Sequence, residues 1–170
     1  MRKVVVIASA SGNGKTTFAR ELATRLGAPF HELDALVNGP GWVETPDDVL
    51  RGQVEQILAG DAWVIDGAYE RKLGTLVLDA ADTVVWLDLP LAVWLPRLVR
   101  RTVRRVRRRE ELWNGNRETL RSACWGRDSL VLFALRSHFR RRREYPAALA
   151  DLPVIRLRTR AAVADFLESA

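Results

Sequence analysis

The 170-residue sequence is poor in cysteine and histidine, and this scarcity excludes whole classes of site. A single cysteine, Cys124, excludes an internal disulfide and any zinc site built from several cysteines. Two histidines, His31 and His138, are too few for a histidine-rich metal site. We expect His31 to be an ordinary strand residue, and His138 and Cys124 to lie in the core.

The sequence also lacks a long hydrophobic run near its amino terminus. The apolar stretch 4–8 is followed closely by Lys15, Arg20 and Glu21. A signal peptide needs about 7–15 apolar residues, and a membrane-spanning helix needs about 20. The sequence therefore predicts no exported or membrane-spanning segment here, and we expect a cytoplasmic protein.

Lysine is scarce as well, because most of the positive charge is arginine. There are 24 arginines and three lysines, and sixteen of the arginines lie in 97–143 with only four acidic residues. That segment carries a charge of +12, against +6 for the whole chain. Such a block is typical of a surface for nucleotide phosphates, nucleic acid or an acidic membrane, although charge runs also form plain solvated helix faces.

The clearest chemistry lies in SASGNGKT, residues 9–16, which we call the phosphate loop. A β-branched run precedes it and apolar residues at helical spacing follow it, which predicts a strand, a loop and a helix in that order. Glycines let backbone N–H groups surround a polyphosphate, and the helix N-terminus favours its negative charge. The motif for such loops is G-x-x-x-x-G-K-[ST], and Ser9 stands at its first glycine.

Each part of the phosphate loop has a predicted role. Lys15 would reach the terminal phosphates of ATP, and the hydroxyl of Thr16 would be a ligand for Mg²⁺. A dinucleotide-binding fingerprint is excluded, because its third glycine would fall on Thr17. The residues predicted to bind the ATP phosphates are Ser11, Gly12, Asn13, Gly14, Lys15, Thr16 and Thr17.

Strand and helix patterns alternate along the chain, which predicts an α/β fold with a parallel sheet. Strands are predicted at 4–8, 30–33, 62–65, 83–87 and 154–157, with helices at 16–26, 45–59, 91–106, 130–139 and 160–168. We expect one domain, residues 1–170, with three layers and the strand order 2-3-1-4-5. Gly27 is expected to end the first helix and Thr45 to cap the second, while 113–116 is expected to be a loop.

Three aspartates follow predicted strands, at the edge of the sheet where ligands of such folds bind. Asp66 is the predicted Mg²⁺-side acid, because its strand would lie beside that of the phosphate loop. Asp34 is a candidate to contact an acceptor substrate and take its proton, although a local capping role is also open. Asp88 is expected in a turn or a cap, and Trp42 is the best candidate for a ligand-facing aromatic residue.

Several segments together carry a family resemblance. The phosphate loop with HELDAL, PGWVETP, WVIDGAY and VVWLDLP resembles the small P-loop kinases of the nucleoside-monophosphate (adenylate) kinase type. More narrowly, these segments are similar to bacterial adenylate-kinase-like proteins labelled DNA topology modulation proteins. The resemblance covers most of the chain. It implies a P-loop NTPase fold with an acceptor-side region, 33–60, and a mobile arginine-bearing lid region, 97–143.

The resemblance also implies roles for arginines. Arg97 and Arg101 match a lid pair that lies by the adenine and clamps phosphates, and four-residue spacing puts both on one helix face. Arg140 and Arg143 would contribute from the returning lid helix. Arg71 is the candidate to bind an acceptor phosphate, since the family's proline-arginine after the aspartate and glycine is absent. The lid region also lacks a cysteine zinc cluster.

These residues favour an ATP-dependent kinase that uses Mg²⁺ and transfers the γ-phosphoryl group to a small acceptor, such as a nucleoside monophosphate. The predicted catalytic residues are Lys15, Asp34, Arg97 and Arg101. Two other functions stay open. In a nucleotide-dependent nucleic-acid-binding protein the basic segment would contact a phosphate backbone, whereas a plain NTPase would hydrolyse ATP equally with or without acceptors. No membrane partner is expected.

Overall fold

The computed structural model describes residues 1–108, 110–116 and 129–170. Within them lies a parallel sheet formed by β1 (Lys3–Ala8), β2 (Phe30–Glu32), β3 (Trp63–Asp66), β4 (Thr83–Leu87) and β5 (Val154–Leu157). The strand order is β2-β3-β1-β4-β5. The predicted α/β fold class and the strand order 2-3-1-4-5 are therefore confirmed.

Helices cover both faces of this sheet. They are α1 (Lys15–Leu26), α2 (Leu33–Val37), α3 (Asp47–Leu58), α4 (Glu70–Leu73), α5 (Leu76–Asp79), α6 (Leu91–Arg108), α7 (Leu130–Ala148) and α8 (Arg160–Ser169). A single 3-10 turn forms at Pro40–Trp42. Another forms at Trp113–Gly115, within the segment 113–116 that was expected to be a loop. In the part of the chain that the structure describes, no helix combines the length and apolarity needed to cross a membrane.

Alternate residues of the strands pack on opposite faces of the sheet, because successive side chains of a strand point in opposite directions. On one face, Val5 and Ile65 join buried residues of α2, α3, α4, α5 and the end of α7. On the other face, Val6 and Val85 pack against α1 and α8. A third buried cluster joins α6 and α7 to Ala10, so both of these helices lie against the phosphate loop.

Two predicted helix ends have different outcomes. α1 ends at Gly27, whose φ of 60° is the left-handed conformation that glycine adopts readily, and this prediction is confirmed. Thr45 does not cap α3, which begins at Asp47 without a side-chain cap. The Thr45 hydroxyl instead donates to the carbonyl of Leu36 over 2.6 Å. Because the hydroxyl makes this bond to α2, it does not cap α3.

Candidate active site

The phosphate loop turns between β1 and α1 through two glycines with positive φ, Gly12 at 88° and Gly14 at 86°. A side chain at Gly12 has no room, because a Cβ there would lie 2.7 Å from the carbonyl oxygen of Trp94 in α6. α1 begins at Lys15 and has no acidic residue in its first turn. The partial positive charge of its N-terminus therefore stays available to an anion in the loop.

Two other residues of the phosphate loop use their side chains to hold it in shape. The amide of buried Asn13 donates to the Ala10 carbonyl over 2.9 Å, and its Oδ1 accepts from the backbone N–H of Leu89 over 3.0 Å. Ser9, which replaces the first glycine of the motif, is buried and is not among the residues with positive φ. A side chain is therefore tolerated at this position without backbone strain.

The basic and hydroxyl groups of the phosphate loop meet an acid. Asp66 ends β3 and is fully buried. The Lys15 ammonium forms an ion pair with its Oδ1, and the Thr16 hydroxyl donates to its Oδ2 over 2.6 Å. β3 pairs with β1 so that Val6 and Asp66 are in register, which delivers the carboxylate to the start of α1. The structure thus brings together three of the predicted site residues.

Asp34 and Tyr69 form a second pair on the acceptor side. Asp34 lies in the first turn of α2 and not directly at a strand end, because β2 already ends at Glu32. Its carboxylate accepts a hydrogen bond from the Tyr69 hydroxyl. Burial and the negative charge of Asp34 raise the pKa of Tyr69 far above its usual value. The phenol therefore keeps its proton and remains a donor to Asp34.

Glu32 connects these two pairs. It is the register partner of Asp66 on the neighbouring strand, and adjacent strands lie about 4.8 Å apart. Burial, followed by the charges of Asp66 and Asp34, raises the pKa of Glu32, while a hydrogen bond with Trp113 and the charge of Lys15 oppose that rise. Three carboxylates therefore interact beside the phosphate loop.

Gly67 links the two halves of the site along the chain. Its φ is 105°, and a Cβ there would lie 3.5 Å from Lys15 Nζ and 3.7 Å from the ring of Tyr69. The backbone after β3 therefore passes between the lysine and the phenol. Consecutive residues of one strand end, from Asp66 to Tyr69, thus contact both the phosphate loop and the Asp34 carboxylate.

The other acceptor-side candidates lie at the surface. The side chain of Arg71 is 85% exposed, and its guanidinium is 3.7 Å from the Glu44 carboxylate. Trp42 is 44% exposed, and its backbone N–H donates to Oδ1 of Asn116 over 2.9 Å. In this arrangement the partly buried Asp34 faces Tyr69, whereas the Arg71 guanidinium is directed to solvent.

The turn Trp113–Gly115 docks on the acceptor-side region through amide side chains. Asn116 is buried, and its Nδ2 donates to the carbonyl of Gly39 over 2.9 Å. Nδ2 of Asn114 donates to the carbonyl of Asn38 over 2.6 Å. With the Trp113 contact to Glu32, these bonds hold part of the lid region against the acceptor side.

The predicted lid arginines of α6 differ in burial. Arg97 is exposed and Arg101 is partly buried, although they lie four residues apart. Trp94 and Leu98, which lie on either side of Arg97 in the sequence, are completely buried next to the phosphate loop. The N-terminal half of α6 is therefore fixed on the loop; Arg97 belongs to this half, and Arg101 lies one turn further along the helix.

In α7 the inward-facing arginines are not the predicted ones. Arg140 and Arg143 are exposed, whereas Arg141 and Arg142 are partly buried. Arg141 donates to the carbonyl of Ala8, the last residue of β1, over 2.9 Å. Of the four successive arginines 140–143, the two central ones are thus partly buried and the two outer ones are exposed.

The predicted turn or cap role of Asp88 is wrong. This carboxylate lies just beyond β4, is fully buried, and accepts a hydrogen bond from the hydroxyl of Ser9 over 2.7 Å. Nε of Arg142 is 3.0 Å from its Oδ1, and Nη2 of Arg156 is 2.6 Å from its Oδ2. The two guanidinium groups, each on a side chain that is about a third exposed, satisfy the carboxylate, so the buried Asp88 is the centre of an ionic network.

The two histidines fit their predicted structural roles. His138 is buried between the rings of Trp94 and Phe139, and burial followed by the charge of Arg142 lowers its pKa. His31 lies in β2, and burial lowers its pKa as well. The predictions for Cys124 and for the lid segment 117–128 lie outside the described residues.

The site residues that the sequence did not single out include Glu32, Tyr69, Asn116, Arg141 and Arg142. Tyr69 could have been found, because it follows the strand end at Asp66 by only three residues. The arginines gave no signal, since identical neighbours in one run cannot be ranked by residue type. Asn116 is exceptional only through its contacts with a distant segment.

Similar folds occur among solved structures. No protein-family model matches this sequence, and the search of curated proteins found no match. A shikimate kinase from Acinetobacter baumannii in complex with shikimate has a TM-score of 0.61 at 17% identity, with 99% of this chain and 90% of that chain covered. A deoxyadenosine kinase from M. mycoides with bound dATP gives 0.56 at 11% identity, covering 99% and 98%. A gluconokinase from Sinorhizobium meliloti 1021 gives 0.54 at 18% identity, covering 99% and 94%. The chain therefore has the fold of P-loop kinases.

Proposed function

We propose that this protein is an ATP-dependent phosphotransferase, which moves the γ-phosphoryl group of ATP to a small acceptor. The observation that carries the proposal is the contact of Lys15 and Thr16, at the start of α1, with the buried carboxylate of Asp66. Phosphoryl transfer depends mainly on positioning and electrostatic stabilisation, which such a loop supplies. The kinase fold of this chain supports the same class of reaction.

The donor phosphates bind in the phosphate loop. Backbone N–H groups of 11–17 and the N-terminus of α1 surround the phosphate oxygens. Lys15, a quarter of whose side chain is exposed, turns from Asp66 towards the β- and γ-phosphates. Arg97, on the N-terminal half of α6, and Arg101, one turn further along, stabilise the charge that develops on the transferred group.

The donor set at the loop fits a magnesium ion. The Thr16 hydroxyl and the Asp66 carboxylate are 2.6 Å apart, and both offer the hard oxygen ligands that Mg²⁺ prefers. These two residues would hold the ion, with phosphate oxygens and water as its other ligands. When bound, Mg²⁺ supplies positive charge to the phosphate oxygens.

The acceptor lies on the side of Asp34 and Glu32. Asp34 takes the proton of the attacking group, because its carboxylate is held in place by a Tyr69 phenol that cannot compete for that proton. The Trp113–Gly115 turn and Asn116 close this side, and Trp42 borders it. Closure of this side around a bound acceptor would exclude water, which otherwise competes for the phosphoryl group.

The charges of this side favour a hydroxyl group as the acceptor. Glu32 and Asp34 carry negative charge that repels an anion, and the pKa of Glu32 is raised first by burial and then by the charges of Asp66 and Asp34. Arg71, the residue predicted to bind an acceptor phosphate, is directed to solvent beside Glu44. We therefore favour a neutral or cationic hydroxyl compound over a nucleoside monophosphate, and the adenylate-kinase-like assignment remains a prediction.

An ATP-consumption screen tests both parts of the proposal. Nucleosides, their monophosphates and small hydroxylated metabolites are offered as matched pairs to the wild-type protein and to Lys15→Ala. We expect ADP formation that depends on a hydroxyl acceptor and falls by about 100-fold or more in the variant. Equal ADP formation without acceptors would indicate a plain NTPase. A preference for monophosphates over their nucleosides would contradict the acceptor class and leave the transferase intact.

Nucleic-acid binding is a second candidate, which the exposed arginines of α6 favour. Arg97, Arg100, Arg104, Arg107 and Arg108 are exposed along this helix. A phosphate backbone bound there would give an affinity that falls with salt by a slope of about −0.9 per contacted phosphate. DNA affinity measured across a salt series separates this function from that of a kinase, because the kinase hypothesis does not require salt-dependent binding of DNA.

A further inference from the structure

One network, centred on the buried carboxylate of Asp88, connects the start of the phosphate loop with the far end of the lid region. The Ser9 hydroxyl donates to Oδ1 of Asp88 over 2.7 Å and accepts from the indole N–H of Trp86 over 2.9 Å. Asp88 is fully buried and also contacts the guanidinium groups of Arg142 and Arg156. Charge-assisted hydrogen bonds of this kind are about twice as strong as neutral ones.

The adjacent residue of α7 contacts the same junction. Arg141 donates to the carbonyl of Ala8 over 2.9 Å, and Ala8 immediately precedes Ser9. Of two successive arginines of α7, Arg141 thus contacts Ala8 directly, and Arg142 contacts Asp88, the hydrogen-bond partner of Ser9. α7 is also packed on the loop through Ala134, which shares a buried cluster with Ala10.

The network gives Ser9 a role that glycine could not fill. Both hydrogen-bonding directions of its hydroxyl are occupied by Asp88 and Trp86, so the side chain is not directed at a ligand. Its backbone does not need a positive φ, unlike Gly12 and Gly14. The start of the loop is therefore fixed by a side chain bonded to the core and not by the tight turn of a glycine.

We propose that Ser9, Asp88 and Arg142 are positioning residues that set the phosphate loop for nucleotide binding and couple it to α7. The proposal rests on the proposed binding of ATP at this loop. None of the three contacts the nucleotide; they act through the backbone of residues 8–10. Nucleotide affinity consequently depends on the contact between α7 and the loop.

Ser9→Gly is the sharpest test, because it completes the G-x-x-x-x-G-K-[ST] motif. If glycine is simply the better residue, affinity for MgATP rises or stays unchanged, and the proposal is overturned. We expect the opposite: Kd for MgATP rises at least about fivefold, because both hydrogen bonds of the Ser9 hydroxyl are lost. The KM for ATP rises with it, while kcat at saturating ATP stays within about twofold, because binding energy can hold the loop in place.

Asp88→Asn and Arg142→Ala extend the test along the network. Each should weaken MgATP binding by about fivefold or more, and Arg142→Lys should recover most of the loss because it keeps a positive charge beside Asp88. Ser9→Gly combined with Arg142→Ala should lose less than the product of the two single effects, since both act on one network. Independent effects would overturn the coupling.

Two controls separate positioning from general destabilisation. Asp82→Asn removes a carboxylate that accepts from the backbone N–H groups of Arg2 and Lys3, at the opposite end of the sheet. It should lower thermal stability and leave the Kd for MgATP unchanged. Arg51→Ala removes a surface charge of α3 and should change neither quantity.

The outcomes distinguish this proposal from the proposed function. A wild-type protein that binds MgATP, with Kd unchanged in Ser9→Gly and Asp88→Asn, overturns the positioning role alone. A wild-type protein that does not bind MgATP overturns both. A loss of affinity in Asp82→Asn equal to that in Asp88→Asn would show that stability, and not the network, controls binding, and would also overturn the positioning role.

Discussion

Replacing Gly12 with alanine measures how closely α6 is pressed on the phosphate loop. The φ of 88° costs an L-residue about 1–2 kcal/mol. The new Cβ would also lie 2.7 Å from the Trp94 carbonyl oxygen and 2.9 Å from Cβ of Leu98. Overpacking of this kind costs about 1–3 kcal/mol, so the free energy of unfolding should fall by about 2–5 kcal/mol.

Gly14→Ala is the matched control. The φ of Gly14 is 86°, nearly equal to that of Gly12, but nothing lies within 4 Å of a Cβ built there. Only the conformational cost remains, which is about 1–2 kcal/mol. The difference between the two variants therefore isolates the packing of α6 against the loop.

Urea unfolding without nucleotide is the assay, with thermal unfolding as a second measure. A domain of this size loses about 2–4 °C in Tm per kcal/mol, so Gly12→Ala should unfold clearly below Gly14→Ala. Circular dichroism of both variants at low temperature checks that the fold is retained. Equal losses of stability in the two variants would refute the close contact of α6 with the loop.

Three other predictions follow from the site. Lys15→Ala should lower the free energy of unfolding, measured by urea unfolding. The loss should be smaller than that of about 3–5 kcal/mol for breaking a fully buried ion pair, because the lysine side chain is 25% exposed. Adding Asp66→Asn to Lys15→Ala should restore much of the lost stability, because it removes the unpaired buried charge. Glu32→Gln should stabilise the protein at neutral pH but not near pH 4. Burial and then the neighbouring carboxylates raise the pKa of Glu32 above 4.5, so the free energy of unfolding of the wild-type protein falls as the pH rises from 4.5 through the raised pKa. A stability difference between variant and wild type that is equal at both pH values would contradict this. Arg101→Ala should reduce turnover with ATP at least about tenfold. Arg107 is exposed on the distal part of α6, so turnover of Arg107→Ala should stay within about twofold of the wild type. Equal effects of the two substitutions in the kinase assay would contradict the proposed role of Arg101 beside the phosphates.

The fold was predictable because its signals are repeated and local. Each strand is a short apolar run, and the phosphate loop lies between a β-branched strand and a helix with regular apolar spacing. The helices α2, α4 and α5 contain only four or five residues each, which is too short for a helical period. Their positions are set by packing on the sheet, which the local sequence pattern does not predict.

The two strand-end acids show why site prediction stops where it does. Asp66 and Asp88 both follow buried apolar strands, so their local patterns are alike. Asp66 ends the strand between β1 and β2 and meets Lys15, whereas Asp88 lies beyond the strand between β1 and β5 and meets Arg156. The position in the sheet, and not the local sequence, decides which acid faces the loop lysine and which becomes neutralised by arginine.

The phosphate loop is held from two directions by the helices that border the lid region. α6 contributes packing, since Trp94, Leu98 and Thr102 are buried at four-residue spacing, while no later residue of α6 is fully buried. α7 contributes charge, through Arg141 and Arg142 at the end of β1. The parts of α6 and α7 that lie on the phosphate loop are therefore fixed to it. Under the proposed function, arginines held beside the loop in this way would meet the donor phosphates without a search through conformations, which is the arrangement that electrostatic catalysis requires.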